Sequence, residues 1–173
     1  YNSTTKALKG TTAGGIATGA WSSGNDMVKG RAGGSFFGSL TAAVAVGGET
    51  PSAPDRLLVE EYNGTSWSEV NNVPVATLQG GGTGPQTAAM YAAGYNAPTY
   101  PPGNASNAEQ YNGSSWTNLP TINTARRAGA GGGTTTSMVV AGGYGGSPST
   151  NPAQSEIWNG SSWSESSEIN TGR

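Results

Sequence analysis

The sequence of 173 residues contains no cysteine and no histidine. Disulfide bonds are therefore excluded, and the fold has to be stabilised by packing and by backbone pairing. The absence of thiolate and imidazole groups also excludes the usual zinc sites, a cysteine nucleophile and a Ser-His-Asp triad. From these absences we expect a protein without a metal ion or any other cofactor.

Charged residues are also scarce, at 10% of the chain against roughly a quarter in an ordinary soluble domain. Lys and Arg number 8 and Asp and Glu number 10, a formal net charge of −2 that provides no basic surface for nucleic acid or for an anionic membrane. No apolar run approaches the roughly 18 residues of a transmembrane helix. The acidic residues show no facing pair of the kind that a glycosidase needs. We expect no nucleic-acid partner, no membrane insertion and no enzymatic activity.

Glycine is abundant, with 29 residues beside 10 prolines, a composition close to that of disordered chains. The sequence is nevertheless periodic. An octapeptide of the form Glu-x-Tyr/Trp-Asn-Gly-Thr/Ser-Ser-Trp ends at Trp67, Trp116 and Trp163, and a weaker copy ends at Trp21. The tryptophans are thus 46, 49 and 47 residues apart, which indicates a repeat architecture.

Charged residues recur at fixed distances from these tryptophans. An arginine follows three of the four tryptophans by ten residues, and a glutamate precedes three of them by seven. The two sets are Arg31, Arg126 and Arg173, and Glu60, Glu109 and Glu156, with Thr77 at the one position that lacks the arginine. The repetition predicts a partly buried ion pair or a charge bonded to backbone carbonyls, which specifies register more than it adds stability.

Each unit contains short runs of Val, Ala, Tyr and Trp broken by turn residues, which predicts β-strands rather than helical repeats. We expect four strands: one after the arginine position, one in the apolar run before a small-residue pair, one that ends at Asn-Gly, and one that carries the Trp. The Asn-Gly step predicts a type I′ turn, in which both central residues have positive φ. The small-residue pairs are Gly47-Gly48, Ala93-Gly94 and Gly142-Gly143.

The order of these residues resembles the kelch repeat. An aromatic residue comes 14 to 17 residues after the pair, a Trp five residues later and an Arg ten residues after that, with departures at Ala93, Thr77 and Trp158. The resemblance implies an all-β fold, a β-propeller built of four-stranded antiparallel kelch-like blades, with about 3.6 repeats of 46–49 residues present. It divides the chain into a partial blade (1–30), two blades (31–76 and 77–125), and a blade with the start of the next (126–173).

Within such blades the aromatic residues of the repeat are expected to fill the gap between neighbouring blades. The glycine pairs are expected to permit a backbone turn and close packing near the axis. The aromatic set comprises Trp21, Trp67, Trp116, Trp163, Tyr62, Tyr111 and Trp158.

The number of blades leaves three arrangements open, because a closed ring needs at least about four. The chain is a fragment of a larger ring, or two copies complete one ring, or the partial blade closes a four-bladed ring with a strand supplied elsewhere. We favour the fragment because both ends fall inside a unit. The start at Tyr1-Asn2-Ser3, without an initiator Met or a signal-peptide core, indicates a processed product or a piece of a longer chain.

The units differ most in the segments after the small-residue pairs, and variable loops on a fixed scaffold are where recognition usually occurs. Tyr95, Tyr100 and Tyr144 lie in these segments and are the candidate ligand-binding residues, for a sugar ring or a partner protein. The alternative is that they only cover the blade edge.

The Asn-Gly-Thr/Ser-Ser-Trp strings with Gly-, Ala- and Thr-rich first strands are also similar to repeat-rich structural proteins of marine bacteriophages. This similarity implies a non-enzymatic structural or recognition propeller in a virion, as a tail fibre, appendage or decoration protein. Its partners would be other structural proteins, further copies of itself, a surface glycan or a host receptor. The alternative is a secreted or cell-surface propeller that acts as a carbohydrate-binding adhesin.

Overall fold

The computed structural model describes residues 24–49, 56–76, 78–96, 103–145 and 153–172. Within these ranges all regular structure is β, in 16 strands without a helix, so the predicted all-β class is confirmed. A search of the same residues for a helix long and apolar enough to cross a membrane finds none.

Most of the strands form three antiparallel sheets of four strands each. Sheet 1 contains β1 (Ser35–Ser39), β2 (Ala42–Val46), β3 (Val59–Tyr62) and β4 (Trp67–Val70), hydrogen-bonded in the order of the chain. Sheet 2 contains β5 (Gly81–Thr83), β6 (Ala89–Ala92), β9 (Ala108–Tyr111) and β10 (Trp116–Leu119). Sheet 3 contains β12 (Ala130–Thr134), β13 (Ser137–Ala141), β15 (Ser155–Trp158) and β16 (Trp163–Ser166).

Two short antiparallel ladders accompany sheets 2 and 3. One pairs β7 (Tyr95–Asn96) with β8 (Gly103–Asn104), and the other pairs β11 (Arg126–Arg127) with β14 (Tyr144–Gly145). Both ladders involve the residues that follow a small-residue pair. They therefore determine where the side chains of those variable segments lie.

The three sheets share one register between their third and fourth strands. The aromatic residue that ends the third strand is paired directly with the Trp that begins the fourth, and the ring centroids of each pair are 4.8–5.5 Å apart. The pairs are Tyr62 with Trp67, Tyr111 with Trp116, and Trp158 with Trp163. The three sequence repeats thus fold into three equivalent meanders.

The turn that joins these strands differs from the type I′ turn predicted from Asn-Gly. Gly64 has a positive φ of 91°, but Asn63 is not among the residues with positive φ. The Oδ1 atom of Asn63 instead accepts hydrogen bonds from the backbone N–H groups of Thr65 and Ser66, both at 2.9 Å. The loop has four residues, and asparagine suits its first position because its side chain satisfies two backbone donors. Asn112 and Asn159 make the same pair of contacts.

The core lies between consecutive sheets. One cluster joins Val44, Val46, Val59 and Val73 of the first repeat to Tyr91 of the second, with Trp116 packed against it. The next cluster joins the second repeat to the third, and its members are Met90, Ala92, Ala93, Ala108, Ile122, Met138, Val140, Trp158 and Trp163. The sheets are therefore stacked face to face, and the apolar residues of sheets 1 and 2 are buried by the unit that follows.

The repeated tryptophans bridge these junctions. The indole N–H of Trp116 donates to the carbonyl of Asn71 in the preceding repeat at 3.2 Å, and that of Trp163 donates to the carbonyl of Pro120 at 3.0 Å. Tyr62 and Trp67 of sheet 1 are half-buried, and Trp21 lies outside the described residues. The described contacts thus agree with the expectation that the aromatic residues fill the gaps between units.

The first strands approach one another through glycine. A Cβ atom added to Gly81 would lie 2.9 Å from the backbone nitrogen of Gly131, so neither strand has room for a side chain at this contact. The residues that precede these strands are linked across the units, because Gln79 donates its N–H to the carbonyl of Gly33 and Ala128 donates to Gln79, each at 2.7 Å. Sequence reasoning assigned close packing to the glycine pairs, and they provide it within a repeat, since a Cβ atom added to Gly143 would clash with the carbonyl oxygen of Arg127. The glycines of the first strands provide the close contact between repeats.

The small-residue pairs themselves have left-handed backbone conformations. The φ angles of Gly142 and Gly143 are 62° and 91°, and those of Ala93 and Gly94 are 66° and 119°. Ala93 adopts this conformation despite its Cβ atom, which makes it a strained position. The turn role predicted for the pairs is confirmed by these angles.

Candidate functional site

A buried carboxylate anchors the segment that enters sheet 1. Glu60 lies on β3 with a wholly buried side chain, and its carboxylate accepts hydrogen bonds from the backbone N–H groups of Val28 and Lys29 at 2.8 and 3.1 Å. The Nη2 atom of Arg31 pairs with the same carboxylate, and its Nη1 atom donates to two backbone carbonyls of this repeat. The group therefore ties the incoming chain to the third strand.

The third repeat reproduces this arrangement. Glu156 accepts N–H hydrogen bonds from Asn123 and Thr124 at 2.6 and 3.0 Å, and Arg126 Nη2 lies 3.0 Å from its Oε1 atom. The two charged side chains are 0% exposed. The ion pair predicted from the register is present in both repeats, and it is fully rather than partly buried. Arg173, the next arginine in register, lies outside the described residues.

The second repeat departs from the pattern at Glu109. In this repeat Thr77 occupies the position of the arginine. Pro74 occupies the position of the first of the two residues that donate a backbone N–H group in the other repeats, and proline has no N–H group. The wholly buried carboxylate instead accepts two hydrogen bonds from the side-chain amide of Asn107, at 2.7 and 2.9 Å. Burial raises the pKa of Glu109 to about 7, and the hydrogen bond from Asn107 offsets part of that rise.

Another buried polar side chain lies at the junction between repeats 1 and 2. Burial raises the pKa of the Tyr111 hydroxyl, and the carboxylate of Glu61 on the neighbouring sheet raises it further. Tyr111 therefore stays neutral at physiological pH, as a residue with a packing role would.

Two of the three candidate ligand-binding tyrosines come together around a residue that sequence reasoning did not assign. The guanidinium carbon of Arg127 lies 4.7 Å from the ring centroid of Tyr95 and 4.7 Å from that of Tyr144. Arg127 and Tyr144 are cross-strand partners in the β11–β14 ladder, whereas Tyr95 comes from β7 of the preceding repeat. Tyr100 lies outside the described residues.

The local reason for this Tyr95–Arg127–Tyr144 cluster is the repeat itself. In every repeat the residue after the arginine position is bridged to the residue after the small-residue pair. Ala32 bridges Glu49 in the first repeat, and Leu78 bridges Tyr95 in the second. Arg127 occupies the equivalent position in the third. The available sequence signal was an arginine directly after the one in register.

The electrostatic setting of Arg127 differs from that of its neighbour Arg126. Arg126 is buried and paired with Glu156, whereas Arg127 is half-buried and takes part in none of the ion pairs formed among the described residues. Two aromatic faces hold its guanidinium by cation–π attraction, each contributing about 0.5–2 kcal/mol. The donors of a guanidinium lie in its plane, so contact of its faces with aromatic rings is compatible with hydrogen bonds to a ligand.

A groove lies at the β7–β8 ladder. It encloses about 320 Å³ and is lined by Asn96 and Asn104 of the β7–β8 ladder, together with Ser106, Asn107 and Thr121 among others. Amide and hydroxyl groups dominate these lining side chains. Among the described residues there is no group of three or more acidic side chains that would hold a metal ion. The arrangement is suited to hydrogen bonding and aromatic stacking.

Comparison with known proteins identifies the fold but no family. No protein-family model matches the chain, and the search of curated proteins finds no match. Among solved structures, that of YjhT superposes with a TM-score of 0.64 at 14% sequence identity, over 84% of this chain and 48% of that chain. The chain resembles YjhT in fold. It spans about half of the YjhT length, and at this identity the likeness concerns the fold alone.

Proposed function

We propose that the three sheets are consecutive kelch-like blades of a β-propeller. The equivalent four-stranded meanders support this, as does a core placed between successive sheets. Further support comes from the side-by-side first strands and from the repeated hydrogen bonds that link Gly33, Gln79 and Ala128. A second copy or further blades of a longer protein would complete the ring.

We propose that this propeller is a non-enzymatic structural and recognition protein of a phage virion, where it contacts a host surface or another structural protein. The similarity of its Asn-Gly-Thr/Ser-Ser-Trp strings to repeat-rich phage proteins supports the virion setting. The lack of histidine and cysteine supports a role without catalysis. Tail or capsid genes beside its own gene would agree with this setting, whereas export and surface-anchor genes would contradict it.

The Tyr95–Arg127–Tyr144 cluster is the observation that carries the recognition role. It joins two repeats at the segments where the units differ most, and it combines aromatic rings with a cation that has no described counter-ion. Aromatic rings stack on sugar rings, and an arginine binds hydroxyl or carboxylate oxygens. The same cluster therefore also favours the second candidate, a secreted or cell-surface adhesin that binds carbohydrate.

The experiment is a glycan array, together with binding to intact host cells, using the wild-type chain and Arg127→Ala. We expect the substitution to weaken binding at least tenfold. The matched control is Arg56→Ala, because Arg56 also follows a small-residue pair, in the first repeat, and forms an ion pair at 2.8 Å with Glu49, whose side chain is 52% exposed. A blank array with no cell binding, or equal losses for both variants, would contradict recognition through this cluster.

A further inference from the structure

In repeats 1 and 3 the guanidinium of the repeated arginine lies in the same buried position. Its Nη2 atom pairs with the glutamate carboxylate, and its Nη1 atom donates to two backbone carbonyls. The Nε atom of Arg126 donates to a third carbonyl, that of Thr124, at 3.2 Å. The acceptors of Nη1 are Gly47 and Leu58 in repeat 1, and Gly142 and Gln154 in repeat 3. We call the place between this carboxylate and these carbonyls the guanidinium position.

Repeat 2 keeps the acceptors of this position. The carboxylate is that of Glu109, which is 0% exposed. The residues in register with the three carbonyl acceptors are Ala93, Asn107 and Val75. The N–H of Ala93 donates to the carbonyl of Asn107 at 2.8 Å, as the equivalent glycine of repeat 1 does at 2.9 Å. The φ angle of Ala93 is 66°, against 61° and 62° at the equivalent glycines, so the backbone follows the same course in all three repeats.

The side chain of Asn107 replaces only part of the missing arginine. Its Nδ2 atom donates to both carboxylate oxygens of Glu109, but an amide carries no charge. The Oδ1 atom of Asn107 is buried and accepts no hydrogen bond from the described residues. None of the ion pairs among those residues involves Glu109. A buried polar network that is only partly satisfied costs stability, so this group would gain from a cation with several donors.

The groove at the β7–β8 ladder leads to this position. Val75 and Asn107 both line the groove, which encloses about 320 Å³. Because the amide of Asn107 also contacts Glu109, a single side chain separates the groove from the buried carboxylate. None of the described lining residues carries a charge, so a cation that enters the groove meets no repulsion from them.

We propose that the guanidinium position of repeat 2 binds a guanidinium group from outside the repeat, either an arginine side chain of a partner protein or a small guanidino compound. The group enters through the groove, displaces the amide of Asn107 and donates to Glu109 and to the carbonyl of Ala93. Its planar set of donors matches these acceptors as the arginine side chain does in the other two repeats, whereas an ammonium group is a point charge without that geometry. The site shares no residue with the Tyr95–Arg127–Tyr144 cluster, so either binding role can fail without the other.

The test is an NMR titration of the isotope-labelled chain with methylguanidinium chloride, below the concentrations at which this salt unfolds the protein. The pH is kept above the pKa of Glu109, about 7, so that the carboxylate is charged. We expect saturable binding that shifts the backbone amide signals of repeat 2. The affinity should be at least tenfold higher than for methylammonium chloride.

Two variants locate the binding. Glu109→Gln removes the charge and keeps the shape of the side chain, and it should weaken binding at least tenfold. Thr77→Arg should have the same effect, because it supplies the group from within the chain, and it should also raise the melting temperature. Glu69→Gln is the matched control, since it removes a carboxylate that is exposed on β4. Circular dichroism confirms that each variant is folded.

A second titration separates the two sources of the group. A capped Gly-Arg-Gly peptide that binds at least as tightly as methylguanidinium assigns the site to an arginine side chain of a partner protein. Binding of methylguanidinium without binding of the peptide assigns it to a small guanidino compound.

Four results would overturn the proposal. They are a wild-type chain that shows no saturable binding, binding that folded Glu109→Gln leaves unchanged, a folded Thr77→Arg variant that binds like the wild type, and equal affinity for methylammonium. Loss of binding in folded Glu109→Gln, with Glu69→Gln unaffected, supports it.

Discussion

Arg126 Nη2 lies 3.0 Å from Glu156 Oε1, with both side chains wholly removed from solvent. The carboxylate also accepts hydrogen bonds from two backbone N–H groups of the segment that leads into the third repeat. Desolvation of both charges is therefore balanced by direct pairing and by hydrogen bonds to the backbone. Glu156 is on the third strand of sheet 3, and the groups that donate to it precede the first strand. The pair therefore determines how the third repeat begins relative to its own sheet.

Breaking this pair is expected to destabilise the protein strongly. Glu156→Gln leaves the guanidinium of Arg126 buried without a counter-charge, and we expect the free energy of unfolding to fall by about 3–5 kcal/mol. Urea denaturation measures the change. Arg56→Ala is the comparison, because its partner Glu49 is 52% exposed, and a loss below about 1 kcal/mol is expected there. Similar losses at the two sites would refute the structural role of the buried pair.

The Glu109 carboxyl should make stability depend on pH. Its pKa is raised from 4.5 to about 7 on folding, so the folded state holds the proton more tightly than the unfolded chain does. The contribution of Glu109 to the free energy of unfolding is then highest at low pH, falls as the pH rises from about 4.5 through about 7, and levels off above that. The decrease is on the order of 3 kcal/mol, and thermal melts between pH 5 and 8 measure it.

The chain offers a clean background for this measurement, because it contains no histidine, the side chain that ordinarily titrates in that range. Glu109→Gln keeps the shape of the side chain and removes its charge. We expect this variant to melt at a nearly constant temperature between pH 5 and 8. A wild-type profile as flat as that of the variant would show that Glu109 is ionised throughout the range.

Ala93 offers a test of backbone strain. It has a φ of 66°, whereas its equivalents Gly47 and Gly142 are glycines at 61° and 62°. A left-handed conformation costs a residue with a Cβ atom about 1–2 kcal/mol. Ala93→Gly is therefore expected to raise the free energy of unfolding only slightly, by less than about 1 kcal/mol, because the loss of the buried Ala93 methyl group and the larger chain entropy of unfolded glycine offset most of the strain.

The reciprocal substitution Gly142→Ala is expected to have the opposite sign, and both variants are compared by chemical denaturation. If the two changes shifted stability in the same direction, strain at this position would not be the cause. The exposed Leu40→Ala provides the baseline for a substitution outside the repeat register.

Local pattern was sufficient to place the strands of each repeat. Val, Ala, Tyr and Trp runs bounded by glycine and asparagine are short-range signals, and the strands that end at Tyr62 and begin at Trp67 lie where these signals predict. The regular spacing of Glu and Arg could also be recognised in the sequence, because these residues recur once in each structural repeat. The turn type could not be predicted. Asn63 stabilises the turn by accepting backbone hydrogen bonds through its side chain and not by adopting a positive φ angle, and the sequence does not distinguish these two roles of asparagine.

The sequence by itself therefore determined the all-β class and the repeat register, and it left the charges in register between an ion pair and bonds to backbone carbonyls. The tertiary structure decided that Glu60 and Glu156 form ion pairs. Only the tertiary structure decided which residues surround Arg127. Tyr95 and Tyr144 lie 32 and 17 residues away along the chain, and they reach the guanidinium because two separate repeats pack side by side. The tertiary structure also decided the protonation behaviour of Glu109. Its pKa is raised because the fold buries the carboxyl group without a described cation beside it, which the residue type alone does not reveal.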